Sequence, residues 1–219
     1  MKIFRDRKSL NSEVSDHKRI AFVPTMGALH RGHISLIKKA KKRSKKVLVS
    51  IFVNPKQFNS KKDFKKYPRK IKDDIKILKN IKVSYLYIPT NGDIYSFKPK
   101  TKIYLDSFSK ILCGKFRPFH FKAVVDVVNR FLDIIKPQFL YLGMKDFQQL
   151  SLIQSHIIKN KIKTDLIQCP TIREENGVAI SSRNSKLSKK QLQNAGKIYK
   201  FIKYNKKLIL YKILRKKRY

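Results

Sequence analysis

At 219 residues the chain has room for one large domain, or one with a small appendage, and for a real hydrophobic core. Hydrophobic residues at 42%, with 14 Phe and 10 Tyr, exclude a disordered composition, and two cysteines exclude a disulfide scaffold. The 53 Lys and Arg against 14 Asp and Glu give a formal charge of +39 spread along the chain, which bears on solubility and sequence-blind attraction to nucleic acid, not on fold.

The first residues, Met1 to Asp6, carry no apolar leader, and no stretch approaches the roughly 20 apolar residues of a spanning helix. A cytoplasmic chain without membrane contact is expected, with Cys113 and Cys169 as free thiols. Acidic residues stop after Glu175, and the last five residues run Arg-Lys-Lys-Arg-Tyr.

In chain order, residues 19–23 read as a buried strand and 34–43 as a helix. Residues 47–53 form a β-branched strand bounded by Asn54-Pro55. A helix over 73–79 and a strand over 83–88 follow. The clearest helix is 121–135, where Val124, Val125, Val127, Val128, Phe131, Leu132, Ile134 and Ile135 make a broad apolar face and Lys136-Pro137 ends it. Residues 139–142 are a strand closing at Gly143, and 146–159 a helix with Asp146 at its N-cap. Short strands at 166–167 and at Ile172, then a helix over 191–204, complete the series. Strands alternating with helices predict an α/β fold, a Rossmann-like parallel sheet with helices on both faces. In such sheets ligands bind beyond the carboxyl ends of the strands, where the strand order reverses.

The first strand runs into Pro24-Thr25-Met26-Gly27-Ala28-Leu29-His30-Arg31-Gly32-His33. His30 and His33 are three apart, so at a helix start they face one way. A helix N-terminus offers free N–H groups and partial positive charge to a phosphate, and imidazoles there can donate to oxygens that gain charge as the phosphorus is attacked. Two polar residues capping a helix is the plain alternative. A metal pair lacks the third ligand that zinc requires. With Gly32 between the histidines and a strand upstream, the segment is similar to the His-x-Gly-His signature of adenylyl-transferring enzymes.

Further polar segments fall at strand ends in the order Asn54-Pro55-Lys56-Gln57-Phe58, Tyr67-Pro68-Arg69, Asp73-Asp74, residues 114–121 from Gly114 to Phe121, residues 143–150 from Gly143 to Leu150, and residues 173–184 from Arg173 to Asn184. Of only seven glycines, Gly27, Gly32, Gly114, Gly143 and Gly177 lie inside these segments, which ties them to backbone positions with special demands. In this order and spacing, over residues 19 to 188, the chain resembles the pantothenate synthetase family.

The resemblance implies residues 1–170 as a Rossmann-like ATP- and pantoate-binding domain, and 171–219 as a shortened C-terminal segment carrying Ser181-Ser182-Arg183-Asn184. It implies an ATP- and Mg²⁺-dependent ligase, a homodimer, that joins pantoate to β-alanine through a pantoyl-adenylate and releases AMP and pyrophosphate. By motif position His33 is the main catalytic histidine and His30 its partner on the triphosphate, with Lys145 and Arg183 as fixed cations. Met26, Gly27, Ala28, Leu29, His30, Arg31, Gly32 and His33 would line the ATP site. Gly143, Met144, Lys145 and Asp146 would meet ribose and phosphates, Ile172 adenine, and Ile180, Ser181, Ser182 and Arg183 the outer phosphates. Gln57 and Gln149, with Asn54 nearby, would hold pantoate. Asp74 would help hold Mg²⁺ indirectly, against the alternative of an exposed helical carboxylate.

The chain departs from the family pattern at Met144, where an acid is usual, at Arg31, and at Phe116 and Phe119, which replace small residues around Arg117-Pro118. A shortened cover is expected to admit water and weaken ATP retention. Two other readings stay open on the residues alone: a different His-x-Gly-His adenylyltransferase, and a basic nucleic-acid-binding protein, with any nucleic-acid contact otherwise non-specific.

Overall fold

The computed structural model describes residues 1–14, 19–208 and 210–211, so the basic residues 215–219 lie outside the described part. The chain divides into two compact units, Met1–Pro170 and Thr171–Tyr219.

The first unit opens with strand β1 (Lys2–Phe4) and helix α1 (Arg7–Val14), then β2 (Ile20–Thr25), α2 (Arg31–Arg43) and β3 (Lys46–Ile51). A 3-10 turn (Pro55–Gln57), α3 (Lys61–Lys66), α4 (Ile71–Asn80), β4 (Tyr85–Tyr87) and α5 (Asn91–Tyr95) follow. A 3-10 turn (Ser107–Lys110), α6 (Cys113–Phe116), α7 (His120–Ile135), β5 (Phe139–Gly143), a 3-10 turn (Met144–Asp146), α8 (Phe147–Lys159) and β6 (Asp165–Cys169) complete it.

The six strands form one sheet in the order β1-β4-β3-β2-β5-β6, and every pairing is parallel. A parallel sheet must be covered on both faces, and alternate residues of each strand feed two separate cores. Phe22, Leu48, Tyr87, Leu140 and Leu142 pack with α1, α7 and α8 on one face. Val23, Val49, Leu86 and Tyr141 pack with Ile37 and Ala40 of α2 and Leu78 of α4 on the other. Helix α7 is buried along most of its length, from His120 to Ile135, as its near-continuous apolar sequence requires. The strand order reverses between β2, which leads outward to β3, and its other neighbour β5. The carboxyl ends of β2, β3 and β5 therefore surround the switch point.

In the second unit a tight turn joins Glu174 to Gly177, whose N–H donates to the Glu174 carbonyl at 2.8 Å, and Arg173 bridges Ala179 in antiparallel register. Gly177 has φ +96°, a left-handed conformation that suits glycine. Helix α9 (Lys189–Tyr204) is started by a capping box between Ser188 and Gln191. The Arg173 guanidinium lies 3.7 Å from the ring centre of Tyr199 on that helix, and the Asn176 amide donates to the Leu192 carbonyl at 3.0 Å. Ile172, expected on a strand, stands outside the named strands, and its carbonyl accepts from the Ile180 N–H at 3.0 Å.

Candidate active site

The segment after β2 is held from below by two groups. The Thr25 hydroxyl donates to the Ser50 carbonyl at 2.7 Å and accepts from the Gly27 N–H at 3.2 Å. Asp74, on the first turn of α4, accepts the Ala28 N–H at 2.9 Å and the Leu29 N–H at 2.7 Å with its two carboxylate oxygens. These bonds fix Gly27 at φ +79° and Ala28 at φ +50°, and a Cβ on Gly27 would come within 3.0 Å of Asp74 Oδ2. The alternative of an exposed helical carboxylate at Asp74 is thus corrected. The residue is 1% exposed and both oxygens serve backbone N–H groups of the site turn. Burial raises its pKa, partly opposed by those same two bonds.

Helix α2 begins at Arg31, three residues earlier than the apolar pattern indicates, with His30 as extended N-cap. The first turn is polar and so invisible to periodicity. The two imidazoles stack, with ring centres 4.0 Å apart and planes 26° apart. Gly32 leaves room for that stack, since a Cβ there would meet the His30 ring at 3.0 Å. His33 Nδ1 accepts the His30 backbone N–H at 3.3 Å. Burial lowers the His33 pKa to about 3, with further lowering by the charges of His30 and Lys145. His33 is therefore neutral at pH 7, and because Nδ1 accepts, Nε2 carries the proton and is a hydrogen-bond donor.

A cavity of about 190 Å³ opens at the switch point, bordered by Met26, His33, Gln57, Asp146 and Gln149 above an apolar floor that includes Phe52, Val124 and Phe131. Gln57 stands on the 3-10 turn after β3, and its amide donates to Met26 Sδ at 3.2 Å. Asn54 also borders the cavity but is 1% exposed. Its amide nitrogen donates to the Ala123 carbonyl at 3.3 Å, and its oxygen accepts from Lys56 N–H at 3.1 Å and Tyr95 hydroxyl at 3.0 Å. Its polar atoms thus brace the turn that borders the cavity. Met144, Lys145 and Asp146 are exposed just past β5, and Arg31 is exposed at the start of α2. Asp146 sits at the N-cap of α8 but makes no side-chain capping bond.

Among the second-unit residues, Ile180 is buried, Ile172, Ser181 and Ser182 are half-buried, and Arg183 is exposed. Ser181 Oγ accepts the Arg183 N–H at 3.2 Å, and Asn184 donates to the Ala179 carbonyl at 3.1 Å. Sequence reasoning assigned no role to His120, which lies within the 114–121 segment. It is buried and within 2.8 Å of the Gln57 carbonyl. A histidine directly before a long apolar helix was the available signal.

A doubly wound parallel sheet, with paired histidines on a helix start at its switch point, defines a Rossmann-like nucleotide-binding protein. The family model for pantoate-beta-alanine ligase matches residues 2–218. Pantothenate synthetase of Francisella tularensis subsp. novicida is 44% identical over 201 residues, spanning 89% of this chain and 75% of the relative. Among solved structures, the pantoate-beta-alanine ligase of Francisella tularensis complexed with beta-gamma ATP and beta-alanine superimposes with a TM-score of 0.85 at 44% identity, covering 91% of this chain and 78% of that one. Pantothenate synthetase of Thermus thermophilus gives 0.86 at 33% identity, covering 91% and 72%. The chain belongs to the pantoate-beta-alanine ligase family and is an enzyme that ligates pantoate to β-alanine.

Proposed function

We propose that ligation is driven by ATP through a pantoyl-adenylate. A pantoate carboxylate oxygen attacks the α-phosphorus, the bond to the bridging oxygen breaks, and pyrophosphate leaves with the electron pair. The β-alanine amine then attacks the acyl carbon, AMP departs, and the amine proton is lost to solvent. The observation that carries this reading is the shared cavity. His33, on the N-terminal turn of α2, and the two glutamines Gln57 and Gln149 border one space at the switch point. The beta-gamma ATP and β-alanine held by the Francisella ligase support the choice of co-substrates.

In this reading the turn from Met26 to His33 receives the phosphates, and the neutral His33 donates from Nε2 to an oxygen that gains charge in the transition state. His30 assists on the triphosphate. Lys145 adds a fixed cation, and Gly143, Met144 and Asp146 meet ribose and phosphate. Gln57 and Gln149 hold pantoate so that its carboxylate approaches in line, which positioning alone rewards. In the second unit, taken by itself, Ser181, Ser182 and Arg183 offer hydroxyls and a bidentate guanidinium fork of the kind that suits phosphate oxygens.

Among the described residues no group of three or more His, Cys, Asp or Glu could hold a metal, and both Asp74 oxygens already accept backbone N–H. Mg²⁺ is therefore assigned only as an ion that the triphosphate brings with it, as is common, and no step is routed through it. A homodimer in the cytoplasm completes the proposal, and among the described residues no helix is long and apolar enough to cross a membrane.

The test is release of AMP and pyrophosphate with ATP, pantoate and β-alanine, omitting each in turn. Pyrophosphate should appear with ATP and pantoate, and AMP should be freed on adding β-alanine. Pyrophosphate release that ignores pantoate would overturn the reading.

A further inference from the structure

The 3-10 turn that carries Gln57 is poorly held by its own bonds. Its internal backbone bonds are long, the Gln57 N–H reaching the Asn54 carbonyl at 3.4 Å and the Phe58 N–H the Pro55 carbonyl at 3.3 Å, with one side-chain cap from the Lys56 N–H to Asn54 Oδ1 at 3.1 Å. A three-residue 3-10 turn has weak hydrogen-bond geometry and depends on outside ties. The shortest tie runs to helix α7, where His120 Nδ1 lies 2.8 Å from the Gln57 backbone carbonyl. A carbonyl oxygen only accepts, so Nδ1 carries the proton. Arg117 Nη2 reaches the same oxygen at 3.4 Å, a weaker second bond. At the other end of the turn the Asn54 amide donates to the Ala123 carbonyl, again on the first turn of α7. The turn is thus bolted at both ends to one helix whose remaining length is buried in the core.

We propose that His120 is a positioning residue for pantoate: by holding the Gln57 carbonyl it fixes the turn that aims the Gln57 amide into the cavity. His120 touches no substrate in this scheme and acts through Gln57 alone. The inference rests on the reading of Gln57 as a pantoate contact. Burial lowers the His120 pKa, which favours the neutral ring.

A purely structural histidine and a positioning one differ in which substrate they affect. The ATP-binding turn after β2 is held by Thr25 and Asp74, not by His120. His120→Ala should therefore raise KM for pantoate about 10-fold or more, the scale for a misplaced contact, while KM for ATP stays within about 2-fold. Should that variant fail to fold, His120→Asn and His120→Leu form a matched pair. The Asn amide nitrogen occupies nearly the place of Nδ1 and should restore wild-type pantoate KM, whereas Leu, of equal size without a donor, should not. Wild-type turnover with an unchanged pantoate KM in His120→Ala, or equal pantoate KM in the Asn and Leu variants, would overturn the inference and leave the parent reading intact. A wild type that releases no pyrophosphate with pantoate would overturn both.

Discussion

The two compact units hold their site residues by different means. In Met1–Pro170 the histidine turn and the Gln57 turn are rooted at the ends of strands backed by apolar cores on both faces. Their backbone groups are also gripped by the buried side chains Thr25, Asp74, Asn54 and His120. In Thr171–Tyr219 the Ser181–Arg183 loop is shaped by local hydrogen bonds. There Ile180 is buried, whereas Ile198, Phe201 and Ile202 of α9 are exposed. A segment with few buried apolar contacts opens locally at low cost, and a segment wedged between two cores does not. The difference predicts a stiff histidine turn in the first unit and a more easily opened Ser181–Arg183 loop in the second.

The largest expected effect falls on the rooted side. His33→Ala should lower pyrophosphate release about 100-fold or more, the scale for losing one transition-state donor, in a protein that remains folded. A rate within a few-fold of wild type would remove the assignment. Next is Gly177→Ala, where φ is +96° and a Cβ would lie 2.6 Å from Tyr199 Cδ1. It should destabilise the second unit by about 1–3 kcal/mol. Amide exchange should quicken in α9 and stay unchanged in β2, β3 and β5, which would show the units to be independent in stability. Equal acceleration in both would collapse the contrast.

Acid should act chiefly through the first unit. His33, His120 and His156 all have lowered pKa values, each chiefly through burial, against an ordinary value of 6.5. The unfolded chain takes up protons near that value while the folded protein does not, so stability falls as pH drops below about 6.5. For His33 the loss continues towards about pH 3. Asp74 acts oppositely: its raised pKa means stability is lost as pH climbs from 3.8 through the folded value. Urea midpoints should therefore fall between pH 7 and pH 5, and less so in His156→Asn. The smallest effect concerns Phe119, an 80% exposed side chain in the left-handed region at φ +63°. Phe119→Gly should stabilise the protein by about 1 kcal/mol, readable by chemical denaturation, because glycine adopts that conformation without a Cβ penalty.

Much of the first unit was legible in the residues. The β-branched run of β3, the strand that closes at Gly143 and the valine-rich α7 stand out because local sterics and burial act on neighbours in sequence. The three-residue edge strand β1 and helix α1 escaped notice, since Lys2–Phe4 is largely exposed and carries no alternation. Nothing local says that β1 lies beside β4, or that β5 rather than β4 borders β2.

The same boundary runs through the site. By itself the sequence determined that two histidines with a glycine between them follow a strand, and that amides stand at the end of the next. Only the tertiary structure decided that Asp74 reaches back 45 and 46 residues to two N–H groups, that Asn54 faces α7, and that His120 meets a carbonyl 63 residues away. Periodicity and turn chemistry are written in neighbouring residues, whereas the partner of a buried polar atom is chosen by whichever distant group the folded chain delivers to it.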